Sequence, residues 1–422
     1  FNTPVVLNGD NSVGIQATNS MINLDNSVIK LNIGTAGNAA NSTGNASGGD
    51  ATKVENAIGI AVDYTTSNPL RMSNYNIFLG SSAKGSTGVM AQNGTITLGY
   101  NSAAGTTQQV TSNGGIKNNL LVATGSGSSI TTEANTTLSI LNGFGQVGIF
   151  ANDGATVNNA GTLNASGAGT IGVIINDGTV TNTGNLNISG GVYTDPANDK
   201  TGTVGVAVLN TGGSPASFTS ASGNIQVNVT GQESTGLFTD SGLIDITGGN
   251  IEASDSAFNL YSKGAAGVIR LNGTTLRTGQ RSLLFYSEDG GTFDLTNVTA
   301  TIAGGTDSSS RGTAFYYSGN NTPLTKTDLE NYFSTTFNSL TGKLTLNMEA
   351  GSRLFIVDNI VMDLSTAATP LGSLANGPTV VGSNYKTYMM YKGTLNIDQN
   401  VNLDSPTDPY NTLELATSHI NN

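Results

Sequence analysis

The chain contains no cysteine and no tryptophan, and its single histidine, His419, lies at the far end of the sequence. Without thiols there is neither a disulfide framework nor a thiolate metal site, so stability must come from packing and backbone ladders. With no histidine in the body of the chain and no Gly-x-Ser-x-Gly elbow, a Ser-His-Asp triad lacks its usual parts. Charge is scarce: Asp, Glu, Lys and Arg supply 10% of the residues, with a net charge of −12. Nucleic acid is therefore not expected as a partner, because phosphate binding needs clustered cations and the 16 Lys and Arg are dispersed. No apolar run is long enough to span a bilayer as a helix, and no export-signal pattern stands at the start, so any such signal is expected outside this stretch.

What is abundant is glycine, 56 residues of it, alongside a hydrophobic fraction of 36%. Disordered chains lack regularly placed Val, Ile and Leu. Here those residues arrive in short pulses separated by Gly and Asn, which makes a long thin core edged by many turns. One pattern recurs: glycine, apolar, variable, apolar or small, then a polar turn. Gly14-Ile15-Gln16-Ala17, Gly88-Val89-Met90-Ala91, Gly148-Ile149-Phe150-Ala151, Gly172-Val173-Ile174-Ile175, Gly205-Val206-Ala207-Val208 and Gly236-Leu237-Phe238-Thr239 are its clearest copies. Later copies are expected to replace the glycine with Ala257, Ser282, Thr313 or Ser352. Between copies lie alternating triplets such as Leu138-Ser139-Ile140, Leu186-Asn187-Ile188 and Ile225-Gln226-Val227, each readable as a short strand with one face inward.

Two or three such strands per repeat make one coil, with Gly and Asn supplying the corner angles. The expected fold is all-β: a right-handed parallel β-helix of about 14 coils, roughly 70 Å long at the ~4.8 Å strand spacing. Residues 1–319 read as a stalk with corner loops, 320–390 as coils with helical and loop insertions, and 391–422 as resumed coils. Polar insertions are expected at 35–53, 101–117, 190–202, 211–222 and 304–311. Thr327 and Glu330 form a capping-box pattern ahead of the apolar stripe Leu329, Tyr332, Phe333, Phe337 and Leu340, which predicts a helix over 328–340 lying against the side of the stalk.

Two Gly-x-Gly-x-x-Gly matches, Gly143 to Gly148 and Gly167 to Gly172, sit 24 residues apart and are each followed by a strand rather than a helix. They read as one corner of adjacent coils, not as a dinucleotide site. Asp153 and Asp177 share a turn position and read as solvated Asx turns; a calcium site would need more oxygen ligands nearby. No catalytic residue, metal or cofactor is expected. The candidate binding residues fall in two columns. The variable position of the repeat places Phe150, Ile174 and Phe238 outward on an apolar strip, which either a loop covers or a partner contacts. Tyr261, Tyr286 and Tyr317, each followed closely by Ser, are expected to form a second column that packs as a ladder or offers an amphipathic contact surface.

The glycine-rich repeats resemble the passenger region of type V autotransporters. The C-terminal third, through Asp328-Leu329-Glu330-Asn331-Tyr332-Phe333, Leu344-Thr345-Leu346-Asn347-Met348, Gly351-Ser352-Arg353-Leu354-Phe355, Tyr385-Lys386-Thr387-Tyr388 and Gly393-Thr394-Leu395-Asn396, resembles the large fusobacterial outer-membrane adhesins. That resemblance implies export through a C-terminal β-barrel translocator outside this stretch and anchorage at the bacterial outer membrane. It implies a non-catalytic role in coaggregation or host attachment, with a surface protein or glycan on other bacteria or host cells as partner. Two alternatives remain: a structural spacer that holds a distal adhesive tip, and a polysaccharide-acting β-helix enzyme.

Overall fold

The computed structural model describes residues 5–18, 24–34, 54–63, 69–103, 106, 108–194, 200–212, 214–307, 310–363, 374–396 and 413–415. The insertion expected at 35–53, most of the resumed coils expected at 391–422 and His419 lie outside them.

The chain winds as a parallel β-helix with three strands per coil. In one coil, Val147–Asn152, Thr156–Asn159 and Thr162–Ser166 follow one another, and Ile171–Asn176 then pairs in parallel on Val147–Asn152. The three strands lie on three faces. The first face carries the glycine repeat and runs through 14 strands in sequence order, from Val13–Thr18 to Leu413–Leu415. The second carries strands such as Thr156–Asn159, and the third strands such as Thr162–Ser166.

Inward positions stack like on like. Ile149, Val173, Val206 and Leu237 line the first face, Val157, Val180 and Phe218 the second, and Leu138, Leu163 and Leu186 the third, all fully buried. One coil cannot bury its own apolar row, so each coil is stabilised by its neighbours.

The repeat glycine is explained by close approach across this narrow core. A Cβ on Gly172 would fall 2.1 Å from Ile188 Cδ1 and 2.6 Å from the Gly205 carbonyl oxygen. Replacing Gly172 with Ala is expected to cost about 1–3 kcal/mol through overpacking, read as a lower urea midpoint with an unchanged far-ultraviolet spectrum.

The later equivalents of this glycine are not those expected from sequence. Pairing places Asn259, Leu284, Ala314 and Leu354 there, whereas Ala257, Ser282 and Ser352 stand two residues earlier and Thr313 one residue earlier. Ser282 belongs to a separate buried corner column. Its hydroxyl accepts from the Ala257 amide at 3.2 Å, as Ser234 does from Thr203 and Ser86 from Ala57. Small polar residues serve two adjacent columns, so smallness alone misassigned the register.

A second buried ladder marks the corner between the second and third faces. Thr132 Oγ1 donates to Asn159 Oδ1 at 2.6 Å, and Asn159 Nδ2 to Asn182 Oδ1 at 2.7 Å. Asn182 Nδ2 donates onward to Ser220 Oγ at 3.2 Å and to the Gly184 carbonyl at 3.0 Å. All four side chains are buried, and each amide satisfies a neighbour as well as its own turn.

Two expected insertions are partly regular strand. Residues 101–117 include Gln108–Ile116, paired on Leu70–Leu79, and 211–222 run into Ser217–Thr230. Their Gln, Thr and Ser face outward or bond at corners, so polarity did not distinguish them from loops. Within the insertion expected at 190–202, Tyr193–Thr194 pairs antiparallel to Lys200–Thr201.

The helix spans Lys326–Phe337, and its capping box uses Thr325 with Asp328 rather than Thr327 with Glu330. Glu330 instead accepts from the Ala375 amide at 2.8 Å. Nor does the helix lie on the outside of the stalk. Phe333 and Phe337 are buried against the inward-facing Phe285, Phe293, Phe315 and Phe355, with Phe337 stacked on Phe293 at 5.2 Å. The second-face ladder ends at Thr292–Thr296, which has no further strand partner among the described residues, and the helix covers that edge.

Candidate functional site

The two columns expected from sequence are one column. Along the first face, Gln16, Ala61, Met90, Val122, Phe150, Ile174, Ala207, Phe238, Tyr261 and Tyr286 are paired in unbroken register. Tyr316, not Tyr317, continues the column: its ring lies 5.4 Å from that of Tyr286, and pairing carries it on to Ile356. Phe315 pairs with Phe285 and points inward, so alternation turns Tyr316 outward and Tyr317 back toward the core, where it meets Tyr332 of the helix at 5.8 Å. Phe150, Ile174, Phe238, Tyr261 and Tyr286 all lie on this one strip, and Tyr317 is withdrawn from it.

Each of Met90, Phe150, Ile174, Phe238, Tyr261, Tyr286 and Tyr316 keeps partial solvent exposure, whereas Ala61, Val122 and Ala207 in the same column are buried. A flanking outward column widens it with Val147, Ile171, Val204 and Phe258. Toward the C-terminal end the strip becomes aromatic. Phe238 and Tyr261 meet at 4.9 Å, Tyr261 and Tyr286 at 4.8 Å, and Phe258 reaches Tyr286 at 5.3 Å. Edge-to-face packing of this kind is favourable and holds the rings rigid.

Acidic side chains border the aromatic end. The Tyr261 hydroxyl donates to Glu288, and the Tyr316 hydroxyl donates to Asp358 Oδ2 at 2.7 Å. Burial first, then these carboxylates, raise both phenols well above their ordinary value; Tyr286 is raised by burial and by Glu288, Asp289 and Asp358. Buried Tyr75 and Tyr388 are raised too, chiefly by desolvation. Because the folded state holds these protons more tightly than the unfolded chain, stability is complete below pH 10 and falls as pH rises beyond it. A melting temperature that drops steeply above about pH 10, together with late appearance of tyrosinate absorbance, is the expected result. Simple surface tyrosines would instead ionise before the fold melts.

The chain matches no family model, no curated protein and no solved structure. Its functional reading rests on its own surfaces.

The remaining sequence candidates are structural. Gly143 and Gly145 are corner glycines with positive φ, and Gln146 Nε2 occupies the space beside Gly143, donating to the Asn142 and Gly115 carbonyls. Asp153 and Asp177 do repeat one left-handed turn position, and Asp177 accepts from the Thr211 amide at 2.7 Å. Among the described residues no group of three or more His, Cys, Asp or Glu is placed to hold a metal.

Phe258 and Tyr316 were missed in the sequence. Tyr316 was hidden by its neighbour Tyr317, which matches the Tyr-Ser pairs at 261 and 286. Phe258 precedes the position occupied by glycine in earlier coils, and comparison with Val147, Ile171 and Val204 at that place would have revealed it.

Proposed function

We propose that this chain is an adhesive, non-catalytic stretch of a stalk displayed at the bacterial surface, anchored in the outer membrane by a β-barrel outside it. It contacts a surface protein or glycan of another bacterium or a host cell. The observation that supports this reading is the apolar column from Met90 to Tyr316, continuous in register, part-exposed at its large side chains and more aromatic at its C-terminal end than solvation of a sheet face requires. Rigid tyrosines bordered by carboxylates offer large amphipathic contacts at little entropic cost, the composition found at recognition surfaces.

The test is binding of the purified chain to intact partner bacteria and host epithelial or immune cells. Saturable binding that is lost when Phe238 and Tyr286 are both changed to Ser supports adhesion through the strip. Absence of binding to every surface leaves the spacer reading. Release of new reducing ends from a polysaccharide would establish the enzyme instead.

A further inference from the structure

A second surface, on the third face, has a different chemistry. Five consecutive third-face strands place two columns of outward side chains beside each other. One column runs Ser139, Asn164, Asn187, Gln226, Asn250, in continuous register. The other runs through Ser166, Ser189, Asn228 and Glu252. Between them lies a groove of about 350 Å³, lined also by the almost fully buried Ile140, Ala165, Ile188 and Val227.

The lining is almost entirely uncharged, although the chain carries −12. Its amides are also ordered. Asn187 Nδ2 donates to Asn164 Oδ1 at 2.8 Å, and Asn250 Nδ2 donates to Gln226 Oε1 at 3.0 Å. A primary amide has two donor hydrogens and two acceptor lone pairs, so each bond in this ladder uses only part of the capacity and fixes the direction of the rest. Leu141, 48% exposed, closes one end with an apolar surface, and Glu252, paired with Arg277 at 3.5 Å, stands at the other. At the corner beyond Leu141 on the same strand, Phe144 is 42% exposed and stacked on Tyr193 at 4.4 Å.

We propose that this groove binds a neutral, linear oligosaccharide lying along the axis of the rod. Alternating donors and acceptors suit hydroxyl groups, and Leu141 and the Phe144–Tyr193 pair suit the C–H faces of pyranose rings. The strand step of ~4.8 Å is close to the about 5 Å advance of one sugar in an extended glycan, so successive sugars meet successive coils in equivalent positions. The groove crosses five strands, which sets a length of four to five sugars. Anionic glycans are disfavoured by the acidic chain. The inference is independent of the first-face strip and does not require it to be adhesive.

The test is calorimetric titration of the purified chain with neutral β-1,4-linked glucan, mannan and N-acetylglucosamine oligomers, from disaccharide to heptasaccharide, with an oligosialic acid as anionic comparison. The expected result is saturable binding to at least one neutral series, strengthening with length and levelling at the pentasaccharide. Asn187→Ala combined with Gln226→Ala should weaken it at least about tenfold, the loss expected for removing well-placed hydrogen bonds. Both side chains are on the surface, and an unchanged melting curve establishes that the variant is folded. Gln226→Glu provides a second, isosteric variant. The proposal is overturned if no neutral series binds, if only the anionic glycan binds, or if binding is the same in both groove variants.

Discussion

Changing Phe337 to Ala is expected to remove about 3–5 kcal/mol of stability, the range for deleting a buried aromatic ring that the surrounding structure cannot close over. Phe337 is fully buried and packs on Phe285, Phe293 and Phe315 at 5.1, 5.2 and 5.6 Å. It also holds the helix over the edge of the second-face ladder. The variant should therefore fail in two ways: a lower urea midpoint, and concentration-dependent light scattering as the uncovered Thr292–Thr296 edge pairs with another molecule. A loss below about 1 kcal/mol with no scattering would mean that the helix is an ornament and not part of the core.

Asn182 is the second sensitive point. It bonds Asn159, Ser220 and the Gly184 carbonyl inside the corner ladder, so Asn182→Ala breaks three bonds and leaves buried partners unmet. The expected cost is about 2–4 kcal/mol, measured by urea unfolding. Asn182→Asp should be worse still at neutral pH, because a buried carboxylate faces the Gly184 carbonyl with no donor to offer it. Burial raises the pKa of that carboxyl in the folded state, so stability should return as pH falls and be lost as it rises through the folded pKa. Equal stability of the Asp variant across the acid range would show that the ladder is solvated.

Much of the architecture was legible because the constraint is local and repeated. The Gly148 and Gly172 copies, the Leu-x-Ile triplets and the Asn-Asp-Gly turns each report a strand or a corner without reference to the rest of the chain. Register was legible wherever the repeat glycine marked it, through coils of 24 residues from Phe150 to Ile174 and 33 from Ile174 to Ala207. From Tyr286 to Tyr316 the coil lengthens, and matching Tyr-Ser dipeptides chose Tyr317 where inward Phe315 dictates Tyr316. The helix was visible as a stripe of Leu329, Phe333 and Phe337, but a stripe does not say which surface it meets. Only the end of the second-face ladder at Thr292–Thr296 among the described residues reveals that it completes the core. The third-face groove left the faintest trace, since Asn164, Asn187 and Gln226 in the middle of strand triplets look the same whether they face bulk water or a ligand.

The parallel ladder has a mechanical side. Every bond between coils lies along the rod, so tension applied at its two ends falls on one rung at a time instead of on all of them together. A loaded rod of this kind peels from an end, and a coil such as that separating Ile149 from Val173 releases 24 residues of chain, roughly 80 Å of slack. Under load such a rod would lengthen in steps, each dissipating energy, rather than part in a single break.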